Sequence, residues 1–192
     1  LMPRITRAQS MDILSSQATV AGYKAVLLGA NAIGKFLPML TTAAGTVRPA
    51  KTLTLGAGVA GLQVLATFRR LGAVMEAFDV RPAVKEQCES LGAKFLELDV
   101  GDMEDEGGYA KELSEDQHKA EMEMITESLK DKDIVITTAQ IPGRTAPTLI
   151  TKAMVNKEDG TLNLDWENET IDGSCVTFDN EVRHGPTKEA LG

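Results

Sequence analysis

The sequence has little with which to build a metal site or a disulfide framework. Its 192 residues include two cysteines, two histidines, one tryptophan and 4% aromatic residues. Cys88 and Cys175 form no motif, and His118 and His184 stand too far apart in sequence to suggest a ligand cluster, so no metal is expected. Both thiols read as reduced packing residues. Long apolar runs are lacking as well. Lys24 and Lys35 interrupt the apolar N-terminal third, which excludes a stretch of membrane-spanning length there, and no signal-peptide pattern is present. Positive charge is in deficit: the formal net charge is −8. Residues 101–127 hold ten acidic and two basic residues, which accounts for the whole excess. That balance argues against nucleic acid or an anionic membrane as partner, and the acidic stretch reads as a solvent-facing loop and helix. The chain starts at Leu1 in mid-pattern without an initiator Met, as a fragment would.

The strongest pattern present is Leu53-Thr54-Leu55-Gly56-Ala57-Gly58-Val59-Ala60-Gly61. An apolar run over 52–55 reads as a buried strand that breaks into Gly-x-Gly-x-x-Gly, and a helical pattern follows from Val59 to Leu71. In that arrangement Gly56 permits a tight turn, Gly58 lets a pyrophosphate approach the backbone, and Gly61 lets helix and strand pack closely. The phosphates would lie on the helix N-terminus, where unpaired N–H groups and the macrodipole favour anions. A second strand, 74–78, ends at Asp79, where a carboxylate would meet the adenosine ribose hydroxyls.

Along the chain, residues 1–16 form a polar segment with little to bury. An Ala-rich helix is expected from about Thr19 to Phe36, ending near Pro38, and Thr41 to Pro49 reads as a linker of small residues. Strand 52–55, helix 59–71, strand 74–78, helix 82–91 and strand 94–98 then alternate. Gly72 and Gly92 are placed as left-handed residues closing the two helices. Ser114-x-x-Gln117 is a capping box opening a helix to about Lys130, and 133–138 is a fourth buried strand. Such alternation predicts an α/β fold: a Rossmann-like, doubly wound parallel sheet, here truncated because no fifth or sixth parallel strand is visible. A helix is expected from about Pro147 to Val155, and short β segments with turns over 161–183, including Asp179-Asn180. Trp166 reads as local packing and His184 as an exposed residue.

The glycine loop indicates a dinucleotide without specifying a reaction. The segment Pro3-Arg4-x-x-Arg7-Ala8-Gln9-x-Met11-Asp12-x-x-Ser15 is more specific. With Ala21-Gly22-Tyr23, Thr42-Ala43-Ala44-Gly45, Gly108-Tyr109-Ala110-Lys111 and Thr137-Thr138-Ala139-x-Ile141-Pro142-Gly143, it resembles the NAD(H)-binding domain of proton-translocating nicotinamide nucleotide transhydrogenase. The resemblance covers residues 1 to about 155 almost continuously and 170–183 more loosely. It implies three regions: a nicotinamide-side loop and long linking helix over 1–50, an NAD-binding Rossmann domain over 51–155, and a C-terminal β segment over 156–192.

Each matching residue then has an implied role. Arg4, Gln9, Asp12 and Ser15 would hold the nicotinamide where it meets a neighbouring NADP(H)-binding component. Gly56, Gly58 and Gly61 would carry the pyrophosphate loop. Val59, Asp79, Val80 and Arg81 would line the adenosine side, and Gly108 and Tyr109 would lie on a flap closing over the nucleotide. Gln140 would face the crevice, at a position that is commonly aliphatic in the family. Direct hydride transfer between two nicotinamides needs no general acid or base, which agrees with the scarcity of histidine; catalysis would be positioning. The implied partners are the NADP(H)-binding and membrane components and, in the intact domain, a second copy. The implied location is peripheral to a bacterial inner membrane or on the mitochondrial matrix side. Against the family pattern, a first lobe before Leu1 and the strands after Val155 are absent, so the chain alone is expected not to turn over.

Blander readings stand beside these. Arg4 and Asp12 would also suit a solvated pair, and Tyr109 an ordinary loop aromatic. At the level of function, a non-catalytic NAD-binding or oligomerising fragment and an alanine-dehydrogenase-like enzyme remain alternatives. The latter should bring a carboxylate-binding Arg/Lys pair and a catalytic His and Asp in other segments.

Overall fold

A computed structural model describes residues 6–98, 115–139, 146, 148–151, 177, 178, 181 and 182. A 3-10 turn, Thr6–Met11, leads into α1, Ile13–Ala32. Asp12 sets the start of this helix. Its carboxylate accepts hydrogen bonds from the N–H groups of Leu14 at 3.0 Å and Ser15 at 3.3 Å, two donors that an uncapped helix would leave unpaired. The expected start at Thr19 is therefore too late, because the polar residues before it supply the cap. The helix also ends earlier than Phe36: Ile33 is already extended.

The expected linker over 41–49 is instead an antiparallel hairpin of β1, Leu40–Thr42, and β2, Gly45–Val47. The Thr42 hydroxyl accepts the Ala44 N–H at 3.2 Å and closes the turn, and the β-branched Thr41 and Thr46 face one another across the pair.

The alternating part follows as β3 (Lys51–Leu55), α2 (Val59–Leu71), β4 (Val74–Phe78), α3 (Lys85–Ser90), β5 (Lys94–Leu96), α4 (Glu115–Leu129) and β6 (Ile134–Thr137). The segment expected to open a helix at 82 begins as a 3-10 turn, Pro82–Val84, and β5 stops short of residue 98. Gly72 and Gly92 close α2 and α3 at φ +83 each, as expected. All four strands are parallel, in the order β5-β4-β3-β6. The chain thus winds outward from β3 in one direction, then returns to β3's other side with β6. The crossover between β3 and β6 is where a doubly wound sheet opens a crevice at its carboxyl edge.

The sheet buries both faces. Thr52 and Thr54 of β3 lie with Met75 and Ala77 of β4 on the side of α1, α2 and α3, where Val26, Val64, Phe68 and Cys88 pack. Leu53, Leu55 and Phe78 turn the other way onto Ile125 of α4 and Leu149. Glu76, on that second side, is held by the Ser128 hydroxyl at 2.9 Å and the Lys132 ammonium at 3.2 Å, which ties the end of α4 to β4.

Two compact units divide the chain, 1–150 and 151–192. In the second, β7 (Thr177–Phe178) and β8 (Glu181–Val182) pair antiparallel, within the region expected to be β. Residues 148–151 are not helical, contrary to the helix expected there. Ser114, Trp166, Asp179, Asn180 and His184 lie outside the described residues.

Candidate functional site

The three glycines of the loop meet three different surroundings. Gly56 turns at φ +91, and a Cβ there would stand 2.8 Å from the Ala139 backbone nitrogen. Gly61 lies directly over the loop: a Cβ on it would come 1.9 Å from the Gly56 carbonyl oxygen. Those two glycines are therefore required by the fold. Gly58 differs. It caps α2 with no side-chain bond, it is exposed, and a Cβ on it would meet nothing within 4 Å among the described residues. Nothing among the described residues demands glycine here. The open space sits at the first turn of α2, whose N–H groups lack intrahelical partners and attract an anion. That polarity suits an anion such as a diphosphate.

Asp79, at the end of β4, is engaged on both oxygens. Its Oδ2 accepts the Ala57 N–H at 2.7 Å, while its Oδ1 accepts the Arg81 backbone N–H at 2.9 Å. The Arg81 guanidinium lies bidentate across the carboxylate, Nε to Oδ1 at 2.9 Å and Nη2 to Oδ2 at 3.0 Å. The pair is largely removed from water, with Asp79 and Arg81 side chains 7% and 16% exposed. A carboxylate offers about four acceptor positions, and all four are taken. A ribose hydroxyl reaching Asp79 would therefore have to displace part of the guanidinium, an obstacle that the sequence does not reveal.

The comparisons decide the family. The family described as "Alanine dehydrogenase/PNT, C-terminal domain" matches residues 25–177. This chain belongs to that family. Among its relatives is an NAD(P) transhydrogenase alpha-subunit polypeptide from Rhodospirillum rubrum, 54% identical over 96% of this chain and 50% of the relative. The NAD(P) transhydrogenase subunit alpha from Haemophilus influenzae is 47% identical over 95% of this chain and 37% of its own length. The chain thus spans about half, or less, of the relatives it matches. Among solved structures, a transhydrogenase from Sinorhizobium meliloti superimposes with a TM-score of 0.69 at 52% identity, covering 83% of this chain and 41% of that one. An L-alanine dehydrogenase shares the fold, with a TM-score of 0.54 at 20% identity, covering 79% and 37% of the two chains.

In this member of the alanine dehydrogenase/PNT family, the structure brings Gly56, Gly58, Val59, Gly61, Asp79, Val80 and Arg81 to one edge of the sheet. Val59 begins α2, largely exposed, and Val80 packs against the Leu53 side of the core. Asp12 and Ser15 lie together at the head of α1, where the Ser15 hydroxyl donates to Asp12 Oδ2 at 2.7 Å. Gln9 falls in the 3-10 turn just before them. Arg4, Gly108, Tyr109 and Gln140 lie outside the described residues.

Sequence reasoning overlooked two groups near this edge. Thr138, immediately after β6, donates its hydroxyl to the Gly56 carbonyl at 2.8 Å. Its position after the last residue of a buried strand, facing a glycine loop, was the available signal. Glu121 on α4 is the other. It is 3% exposed and pairs with His118 Nδ1 at 2.8 Å. Burial pushes its carboxyl above the ordinary range, against the opposing pull of His118. A buried glutamate on α4 has no period signature, so the sequence does not mark it.

Proposed function

We propose that this chain is the NAD(H)-binding component of a nicotinamide nucleotide transhydrogenase, holding NAD(H) for direct hydride exchange with NADP(H) on a partner component. In the whole enzyme that exchange is coupled to proton translocation. The observation that carries the reading is the open space over Gly58, bounded by the Gly56 turn, the first turn of α2 and the Asp79 end of β4. The names of the 47–54% identical relatives support the transhydrogenase reaction in particular.

When bound, the nicotinamide supplies the hydride chemistry itself. The chain contributes binding and orientation. Gly56, Gly58 and Gly61 form the phosphate loop; Val59, Asp79, Val80 and Arg81 line the adenosine side. Arg4, Gln9, Asp12 and Ser15 hold the nicotinamide end, Gly108 and Tyr109 close over it, and Gln140 lines the crevice. The direction of α1 supports the nicotinamide assignment. Gly22 touches the start of α2, and Asp12 lies ten positions earlier, about 15 Å further out at 1.5 Å per residue, beyond the carboxyl edge of the sheet.

Two further elements of the reading rest on α1. Ile13, Val20, Tyr23 and Leu27 recur along one face and are 74%, 59%, 50% and 36% exposed, while Gly22, Val26 and Gly29 occupy the opposite, packed face. Large apolar side chains left exposed on one side of α1 call for a second covering surface, which a homodimer provides. Among the described residues no helix is long and apolar enough to cross a membrane. In this reading, carried by the names of the relatives, the component is peripheral to the inner membrane, on its cytoplasmic or matrix side, docked on the membrane and NADP(H)-binding components. By itself the 192-residue chain binds without turning over, because it supplies one nicotinamide site and the reaction needs two. The test titrates the chain with NADH by fluorescence, then adds an NADP(H)-binding component and follows reduction of an NAD analogue by NADPH. Saturable NADH binding is expected; its absence overturns the reading.

A further inference from the structure

The peptide unit joining Gly56 to Ala57 is held at both ends by different strands. Its carbonyl accepts the Thr138 hydroxyl at 2.8 Å from the end of β6, and its N–H donates to Asp79 Oδ2 at 2.7 Å at the end of β4. Neighbouring bonds repeat the pattern. Gly56 N–H donates to the Phe78 carbonyl at 2.8 Å, and Thr138 N–H to the Leu55 carbonyl at 2.7 Å. The loop between β3 and α2 thus spans the crossover of the sheet as a bridge between its two neighbours. A peptide is planar, so fixing its carbonyl and its N–H fixes the rotation of the whole unit. That rotation sets where Gly58 and the first-turn N–H groups of α2 point.

We infer that Thr138 is a positioning residue for the pyrophosphate: its hydroxyl orients the Gly56–Ala57 peptide and so aims the α2 N-terminus at the phosphates. The inference rests on the NAD(H) reading above and adds a residue to it. Two features separate it from mere packing. The carbonyl that Thr138 holds is the same atom that Gly61 must leave room for, at 1.9 Å from where a Cβ would stand. And the other end of the same peptide stays held by Asp79 whatever stands at 138, so the carbonyl end alone depends on the Thr138 hydroxyl.

The experiment compares Thr138→Val, which keeps the volume and removes the hydroxyl, with Thr138→Ser, which keeps the hydroxyl. Each full chain is titrated with NADH and with adenosine, which lacks phosphate, and its melting temperature is recorded. Loss of one hydrogen bond corresponds to about 3- to 12-fold in affinity. Thr138→Val is expected to weaken NADH by about that factor while adenosine changes by less than about twofold, and Thr138→Ser is expected to restore NADH affinity. Should the Val variant fail to fold, Thr138→Ala against Thr138→Ser isolates the same hydroxyl. Equal losses for NADH and adenosine, or equal behaviour of the Val and Ser variants, would overturn the inference while leaving the NAD(H) reading standing. If the parent chain binds adenosine but not NADH, the NAD(H) reading falls and this inference with it.

Discussion

Gly22 of α1 lies so close to Ala60 of α2 that a Cβ on Gly22 would stand 2.3 Å from the Ala60 carbonyl oxygen. This contact decides where α1 sits. It brings the long helix against the first turn of the dinucleotide helix, and Gly29 then reaches Ile134 at the start of β6. A methyl group at Gly22 meets the Ala60 backbone and the Cβ of Gln63, neither of which can swing aside, so one helix must move off the other. Overpacking of this kind costs about 1–3 kcal/mol. Gly22→Ala should lower the melting temperature by about 2–12 °C, whereas Gly34→Ala, in open space, should leave it within about 2 °C. Indistinguishable melts for the two variants would show that the α1–α2 contact yields freely.

Gly58 and Gly61 should separate binding from folding. Gly61→Ala forces a methyl into the Gly56 carbonyl and should destabilise the chain by about 3 kcal/mol or more. Gly58→Ala meets open space, and its stability cost should stay within about 1 kcal/mol, the loss of a favourable cap residue. Its NADH affinity should nonetheless drop about tenfold, or 1.4 kcal/mol, because the methyl occupies the phosphate position. Calorimetric titration beside thermal melts checks both; unchanged NADH affinity in Gly58→Ala would remove the pyrophosphate from this loop.

Asp79 and Arg81 should set the preference between NADH and NADPH. The carboxylate repels a 2′-phosphate, and the guanidinium bound across it offsets that repulsion. Asp79→Ala should weaken NADH by less than the roughly 1.5–3 kcal/mol, or about 10- to 150-fold, of a hydrogen bond to an unoccupied charged group, because a ribose hydroxyl first displaces part of the guanidinium. Arg81→Ala should take the guanidinium off the carboxylate, leaving its two backbone N–H bonds, and raise the ratio of NADPH to NADH dissociation constants. A ratio unmoved by Arg81→Ala in fluorescence titrations would show that the guanidinium does not face the ribose.

Glu121 should make stability fall with rising pH over a defined window. Burial raises its carboxyl in the folded chain above its unfolded value of about 4.3. The folded state therefore holds the proton more tightly, so its contribution is present below the unfolded value and is lost as pH rises through the folded one. Asp131 acts in the opposite sense. Hydrogen bonds from Lys132 and Lys51 hold it down at about 2, and its contribution is lost only as pH falls toward that value. Glu121→Gln removes the buried charge and keeps an acceptor for His118. Its melting temperature relative to the parent should be higher at pH 8 than at pH 4.5; a pH-independent difference would mean the buried carboxylate is well solvated.

What the residues dictated locally and what the assembled chain decided divide along a physical line. Short-range chemistry was legible. The runs 52–55 and 74–78, the pattern 59–71 and the closing residues Gly72 and Gly92 fixed strand, helix and stop within a residue, because burial periodicity and left-handed caps act over a few positions. That the sheet is parallel followed from the alternation of strand and helix. Where a competing local signal prevailed, the reading slipped: the Asp12 cap started α1 early, and facing threonines made a hairpin of an apparent linker. The site's working contacts were decided only by the fold. Thr138 and Gly56 are 82 positions apart, and Asp79 reaches Ala57 across 22. No sequence period encodes such pairs, because the parallel crossover alone brings the ends of β3, β4 and β6 to one edge, and with them an arginine laid over the very carboxylate that the sequence offered to the ribose.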